Sequence, residues 1–129
     1  MVMSYTFPIN KEEMVCARTN IKSSFKAAHE ICKSLNRKKF KRAKNIVKGL
    51  SEEKVSLKSG KYHTKTAKQI GVLLKGLESN ASARNFEPDE MKLLISAHRG
   101  STLFRARRKR SFGLRLKNCN VQAVLKKVK

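Results

Sequence analysis

The chain has 129 residues, with 31 Lys and Arg against 9 Asp and Glu, a formal net charge of +22. That length is one domain's worth, and a charge excess this large opposes compaction and favours a polyanion, either nucleic acid or an anionic membrane surface. No apolar run approaches the ~18 residues a membrane-spanning helix needs, and Met1 to Asn10 has no basic start followed by an apolar stretch, so neither insertion nor secretion is expected. Cys16, Cys32 and Cys119 are an odd number at long spacings. They indicate neither a disulfide framework nor a zinc site, but reduced thiols in a cytosolic-type compartment.

In chain order, Phe25, Ala28, Ile31, Cys32 and Leu35 recur at three- and four-residue steps and predict a helix over 24–35. A second helix over 38–49 sets Phe40, Ala43, Ile46, Val47 and Leu50 on one side and Lys39, Lys41, Arg42, Lys44 and Lys48 on the other, with Gly49 as its C-terminal stop. Residues 51–63 read as a loop with room for a short strand. The third helix, 64–84, carries Ala67, Ile70, Leu73, Leu74, Leu77 and Ala81. Gly71 and Gly76 each lower its propensity by about 1 kcal/mol, which implies close packing against a neighbouring element.

Past a loop at 85–90, broken by Pro88, the period changes to two. Met91, Leu93, Ile95 and Ala97 form one alternating run, Phe112, Leu114 and Leu116 a second, and Val121, Ala123 and Leu125 a third. Helices first and strands mainly last give an α+β fold, three helices packed on a small antiparallel sheet. Residues 91–116 folded as a hairpin would reach about 40 Å. A lone ribbon is marginal in water, and this one carries Arg105, Arg107, Arg108, Lys109 and Arg110 at its tip. It is expected to project from the domain and to be ordered by an anionic partner. The chain is thus expected to be one domain, 1–129, with 91–120 forming an extended basic β-hairpin arm.

No acid lies beyond residue 90, so the C-terminal part carries only positive charge. A second basic cluster spans Arg37 to Lys44. Such a cluster is often a solvated helix face, but few acids intersperse it, which points towards phosphate binding; a nuclear-import signal is compatible with either. Residues 99–115 read either as a disordered tail or as an arm; Leu103, Phe104, Phe112 and Leu114 interleave with the arginines and favour the arm. Arginine outnumbers lysine at the tip, and a guanidinium bonds phosphate bidentately and stacks on bases, which suits structured RNA. Phe104 and Phe112 either stack on bases or pack against the ribbon.

Catalytic signatures are missing from the sequence. His29, His63 and His98 form no metal pair at helical spacing, and there is no Gly-x-Ser-x-Gly and no paired-carboxylate arrangement. Gly71 and Gly76 have phosphate-loop spacing, but Leu77 and Glu78 stand where Lys and Ser or Thr are required. Asn80-Ala81-Ser82 fits a glycosylation acceptor but falls within a predicted helix. The chain is expected to be no enzyme and to hold no metal or cofactor. A DNA-binding or chromatin protein using the ribbon as an arm is the alternative, though no recognition helix supports it. A membrane-active protein lacks a strongly amphipathic helix with aromatic anchors.

Taken in order, Cys16-Ala17-Arg18 before an extended stretch, Phe25-Lys26, Arg37 to Leu50, Leu73 to Ala81, Met91 to His98, Ser111-Phe112-Gly113-Leu114-Arg115 and Cys119 to Leu125 match a family pattern. The chain resembles the universal large-subunit ribosomal protein family numbered twenty-two in bacteria and seventeen in eukaryotes, on its eukaryotic and archaeal branch. The resemblance implies a structural constituent of the large ribosomal subunit. Its globular part would sit near the exit of the nascent-peptide tunnel and its hairpin would line the tunnel wall. Implied partners are large-subunit rRNA, neighbouring ribosomal proteins and the nascent polypeptide, with no membrane. The implied location is the cytoplasmic ribosome, after nuclear or nucleolar passage during assembly. Expected RNA-binding residues are Arg18, Lys26, Arg37, Lys38, Lys39, Lys41, Arg42, Lys44, Arg99, Arg105, Arg107, Arg108, Lys109, Arg110, Arg115 and Lys117. The family's tunnel-lining tip falls on Ser101, Thr102, Leu103, Phe104, Arg105, Arg107 and Arg108. Two departures are Ser101 where the family has Pro, and a shorter stretch between the second and third helices, as in a trimmed ribosome of a reduced eukaryote.

Overall fold

The computed structural model describes residues 5–101, 103–107, 110 and 112–127. The chain runs through β1 (Met14–Ile21), α1 (Phe25–Leu35), β2 (Lys38–Lys39), α2 (Phe40–Ser51) and α3 (Thr64–Ala83). A 3-10 turn at Pro88–Glu90 leads into β3 (Lys92–Arg99), β4 (Leu103–Phe104), β5 (Arg115–Leu116) and β6 (Cys119–Lys126). Three helices against an antiparallel sheet make this the expected α+β fold.

The sheet order is β1-β6-β3-β2, and every pairing is antiparallel. Register aligns Val15, Leu125 and Leu93 across three strands, then Ala17, Ala123 and Ile95, then Thr19, Val121 and Ala97. Side chains alternate along a strand, so these rows share one face. That face meets Ile31 and Leu35 of α1 and Ile70, Leu74 and Leu77 of α3, and the cluster is nearly closed to water. At roughly 1.5–3 kcal/mol for each large apolar side chain buried, it is the main favourable contribution to the fold. α2 packs on α3 through Phe40, Ala43, Val47 and Leu50.

The opposite face of the sheet holds Cys16, Val124 and Leu94 in one row and Arg18, Gln122 and Ser96 in the next. The segment before β1 covers part of it. Thr6 donates to Gln122 Oε1 from its backbone N–H at 3.0 Å and from its hydroxyl at 3.1 Å, and the same hydroxyl lies 2.7 Å from His98 Nε2. This cover explains why Gln122, on the face away from the helices, is buried together with Val124.

Several elements depart from the sequence reading. The expected ribbon paired 91–97 with 112–116, whereas Lys92–Arg99 pairs with Cys119–Lys126. Burial decides the choice: Leu93, Ile95 and Ala97 face the helices, while Phe112 and Leu114 are 61% and 59% exposed. The first strand of the expected ribbon is therefore held in the core and does not project with the rest of 91–116. Gly49 does not stop α2, which continues to Ser51; a Cβ there would meet Val55 Cγ2 at 2.9 Å, so Gly49 admits the following loop. Gly71 does mark close packing, with Val47 Cγ1 3.4 Å from an added Cβ, but Gly76 has nothing within 4 Å. Residues 52–63 contain no strand; Leu57 anchors them in the core.

Candidate nucleic-acid interface

The basic side chains reach the surface because their apolar neighbours are committed to the core. On α2, burial of Phe40, Ala43, Val47 and Leu50 turns Lys41, Arg42 and Lys48 to solvent. Before it, Arg37 adopts a left-handed φ of 63° and donates its N–H to Leu93 O at 2.8 Å, so the α1–α2 connection is pinned along β3. Asn36 Oδ1 reinforces this by accepting the Ile95 N–H at 3.3 Å. Arg37, Lys38 and Lys39 thereby line the sheet edge, with Lys38 opposite Leu93 and Lys39 opposite Lys92.

Lys44 differs from the rest of its cluster. Its ammonium lies 3.1 Å from Glu78 Oε1, 3.3 Å from Asp89 Oδ1 and 5.1 Å from the Phe40 ring centre. Burial pulls its pKa down, but the two carboxylates outweigh burial and leave it above the ordinary lysine value. Arg18 is exposed on the far face of the sheet, 5.7 Å from the centre of the Tyr5 ring. Lys26 is exposed on α1, and Arg99, at the end of β3, lies 5.5 Å from the centre of the Phe25 ring.

Beyond β3 the chain leaves the core. Gly100 donates its N–H to Asn118 O at 3.2 Å and Arg105 donates its N–H to Leu114 O at 3.1 Å; between them Leu103 pairs with Leu116 and Phe104 with Arg115. Ser101, Leu103, Phe104, Arg105, Arg107, Arg110, Arg115 and Lys117 are all exposed. Thr102, Arg108 and Lys109 lie outside the described residues. Leu103, Phe104, Phe112, Leu114 and Leu116 are among the exposed large hydrophobics, with Phe104 at 62%. More than half of each phenylalanine is open to solvent, which leaves ring surface available to a partner.

The acids do not balance this arm. Glu52, Glu78 and Asp89 are paired with Lys54 and Lys44, and Glu30 with His63, all in the helical part. Among the described residues no ion pair reaches the arm. The α2 cluster and the arm sit at opposite ends of β3, because Lys92 pairs with Lys39 while Arg99 leads into the arm. Eight residues at about 3.3 Å each separate them by roughly 25 Å. A polyanion meeting both patches would have to extend along the domain.

The class defined by these features is a small, strongly basic α+β protein with an acid-free arm rising from a helix-backed sheet. No family model matches the chain. The large ribosomal subunit protein uL22 of Sulfolobus acidocaldarius is 28% identical over 108 aligned residues, covering 67% of this chain and 69% of that protein. The protein of the same name from Sulfurisphaera tokodaii is 27% identical with the same coverage. These relatives support placing the chain in the uL22 family.

Proposed function

We propose that the chain is a structural constituent of the large ribosomal subunit that binds large-subunit rRNA. Its arm, within 91–120, lines the nascent-peptide exit tunnel, and its helical domain lies near the tunnel exit. The name of the relatives supports the ribosomal role. The observation that carries the RNA reading is the arm itself: two short paired strands with exposed Phe104, Arg105, Arg107 and Arg115 and no acid beyond residue 90.

Arm arginines and the α2 lysines neutralise phosphates and release counterions, which makes binding steeply salt-dependent. The exposed phenylalanines stack on unpaired bases. The role involves no catalysis. Neighbouring ribosomal proteins and the nascent polypeptide are the remaining partners. The site of action is the ribosome, reached after nuclear or nucleolar assembly. Sedimentation of a cell extract through sucrose tests the role: the chain is expected with the large subunit at moderate salt, and its recovery wholly in the soluble fraction would refute it. A photoreactive group at Ser101 or Phe104 that crosslinks to nascent chains on translating ribosomes tests the tunnel assignment.

A further inference from the structure

A cavity of about 770 Å³ opens where the arm leaves the domain. Lys22, from the turn after β1, and Lys65, from the first turn of α3, form one wall; Arg105 and Lys117, on the two sides of the ribbon, form the other. Four cations from separate stretches of chain converge there, and among the described residues no carboxylate lines the cavity. Like charges gathered without a counter-charge repel one another, so the arrangement favours an anion between them.

The cavity has a fixed floor. Ser23 and Thr66 are both buried, and their hydroxyls lie 2.5 Å apart, which locks the start of α3 against the entry to α1. Lys65 and Ser24 flank this lock, and the Ser24 side chain makes no capping bond to the helix it begins. On the ribbon side Leu103 and Leu116, 45% and 37% exposed, present apolar surface beside the cations.

We infer that this neck cavity is a binding site for the RNA sugar-phosphate backbone, with phosphodiester groups seated between the Lys22–Lys65 wall and the Arg105–Lys117 wall. Cations on opposite walls fit a strand that passes through, and the exposed leucines fit ribose and base faces rather than a free inorganic ion. Occupancy ties the arm to the domain, so RNA at the neck sets the direction in which the arm projects. Neither Lys22 nor Lys65 stands in a basic run, and only the fold brings them to the arm. The inference rests on the rRNA-binding reading and assigns it a specific site.

Lysine acetylation footprinting of the full chain with purified large-subunit rRNA, read by mass spectrometry, tests it. Lys22, Lys65 and Lys117 are expected to be protected while Lys58, in the 52–63 loop, stays reactive. The double variant Lys22→Gln/Lys65→Gln, whose changes are confined to exposed side chains, is expected to keep its circular dichroism spectrum and to bind roughly tenfold more weakly. Its salt slope should be shallower by about 1 for each lysine removed. If rRNA binds with full affinity to the double variant and Lys22 and Lys65 stay as reactive as Lys58, the neck site is wrong and the rRNA reading stands. If rRNA does not bind the wild-type chain at all, the rRNA reading fails, and the site with it. Equal protection by duplex DNA at matched phosphate concentration overturns the assignment to RNA.

Discussion

Lys44 of α2 bonds Glu78 of α3 at 3.1 Å, and the same ammonium reaches Asp89 of the turn before β3. A residue from the middle of a basic cluster is thus occupied in joining three parts of the domain. Lys44→Gln is expected to lower stability by about 0.5 kcal/mol, the modest amount fitting a partly exposed pair. Urea denaturation measures it. The same change should weaken rRNA binding less than Lys41→Gln or Arg42→Gln, whose side chains are exposed. An equal or larger loss of RNA affinity at Lys44 would show that the pair opens on binding.

Glu30 of α1 ties down the loop before α3. Its carboxylate accepts a hydrogen bond from the Ser59 hydroxyl and lies 3.0 Å from His63 Nε2. The Ser59 bond first, and the His63 contact next, hold its pKa below the ordinary 4.5. A carboxylate with a lower pKa when folded stabilises above its unfolded value and loses that contribution as pH falls through the folded value. Stability should therefore drop on the acid side of 4.5, and Glu30→Gln should flatten that part of the curve. Urea midpoints measured from pH 6 downwards check it; an unchanged acid limb in the variant would show that the loop is held by other contacts.

Two glycines should respond in opposite ways. Gly76 lies within α3 with open space around an added Cβ, so Gly76→Ala is expected to stabilise by roughly 0.5–1 kcal/mol through helix propensity. At Gly100 a Cβ would stand 2.8 Å from Asn118 Nδ2 and 3.2 Å from the Asn118 carbonyl carbon. Gly100→Ala should prise open the base of the ribbon. Amide exchange of Arg105, whose N–H bonds Leu114 O, should speed up while α3 amides stay protected. A destabilising Gly76→Ala would contradict the open face.

Thiol chemistry reports on the core. Burial first, and the neighbouring Cys119 next, push the Cys32 thiol up to about 12, and burial raises Cys119 as well. Only the thiolate reacts, and it is a minute fraction at neutral pH for such a pKa. Half-buried Cys16 should be alkylated first in the native chain, with Cys32 and Cys119 labelled only on unfolding. Labelling of Cys119 at the rate of Cys16 would show that β6 is not seated at the neck.

The helices were legible because each buries one stripe at helical spacing; α3 is observed over Thr64–Ala83 against an expected 64–84. β1 was not read as a strand: the family resemblance set Cys16-Ala17-Arg18 only before an extended stretch, whereas these residues lie within Met14–Ile21. Its inward residues Val15, Ala17, Thr19 and Ile21 do alternate with Cys16, Arg18 and Asn20, but they are small or polar enough to blur the period. The strand partner of β3 was misread because Phe112, Leu114 and Leu116 alternate as cleanly as Val121, Ala123 and Leu125. Alternation reports a pleat, not which run is buried. The basic clusters were visible as composition, whereas the capture of Lys44 by two acids and the convergence at the neck depend on contacts between distant residues.

The arm offers the sharpest separation of folding from binding. Arg105, Arg107 and Arg110 are exposed, and none belongs to the helix-facing cluster. Replacing all three by Ala should leave the helical circular dichroism signal unchanged and the unfolding free energy from urea denaturation within about 0.5 kcal/mol of wild type, as for surface changes without special roles. If each arginine neutralises one phosphate, the slope of log affinity against log salt should fall by about 0.7–0.9 for each arginine removed. A Phe104→Leu variant, keeping every charge, should leave that slope unchanged and lower affinity by the stacking contribution, about 1–3 kcal/mol. Loss of helix in the triple variant would show that the arm supports the domain. An unchanged slope would show that phosphates are held elsewhere, on α2, and would count against Arg105 as a phosphate ligand at the neck as well as against the arm.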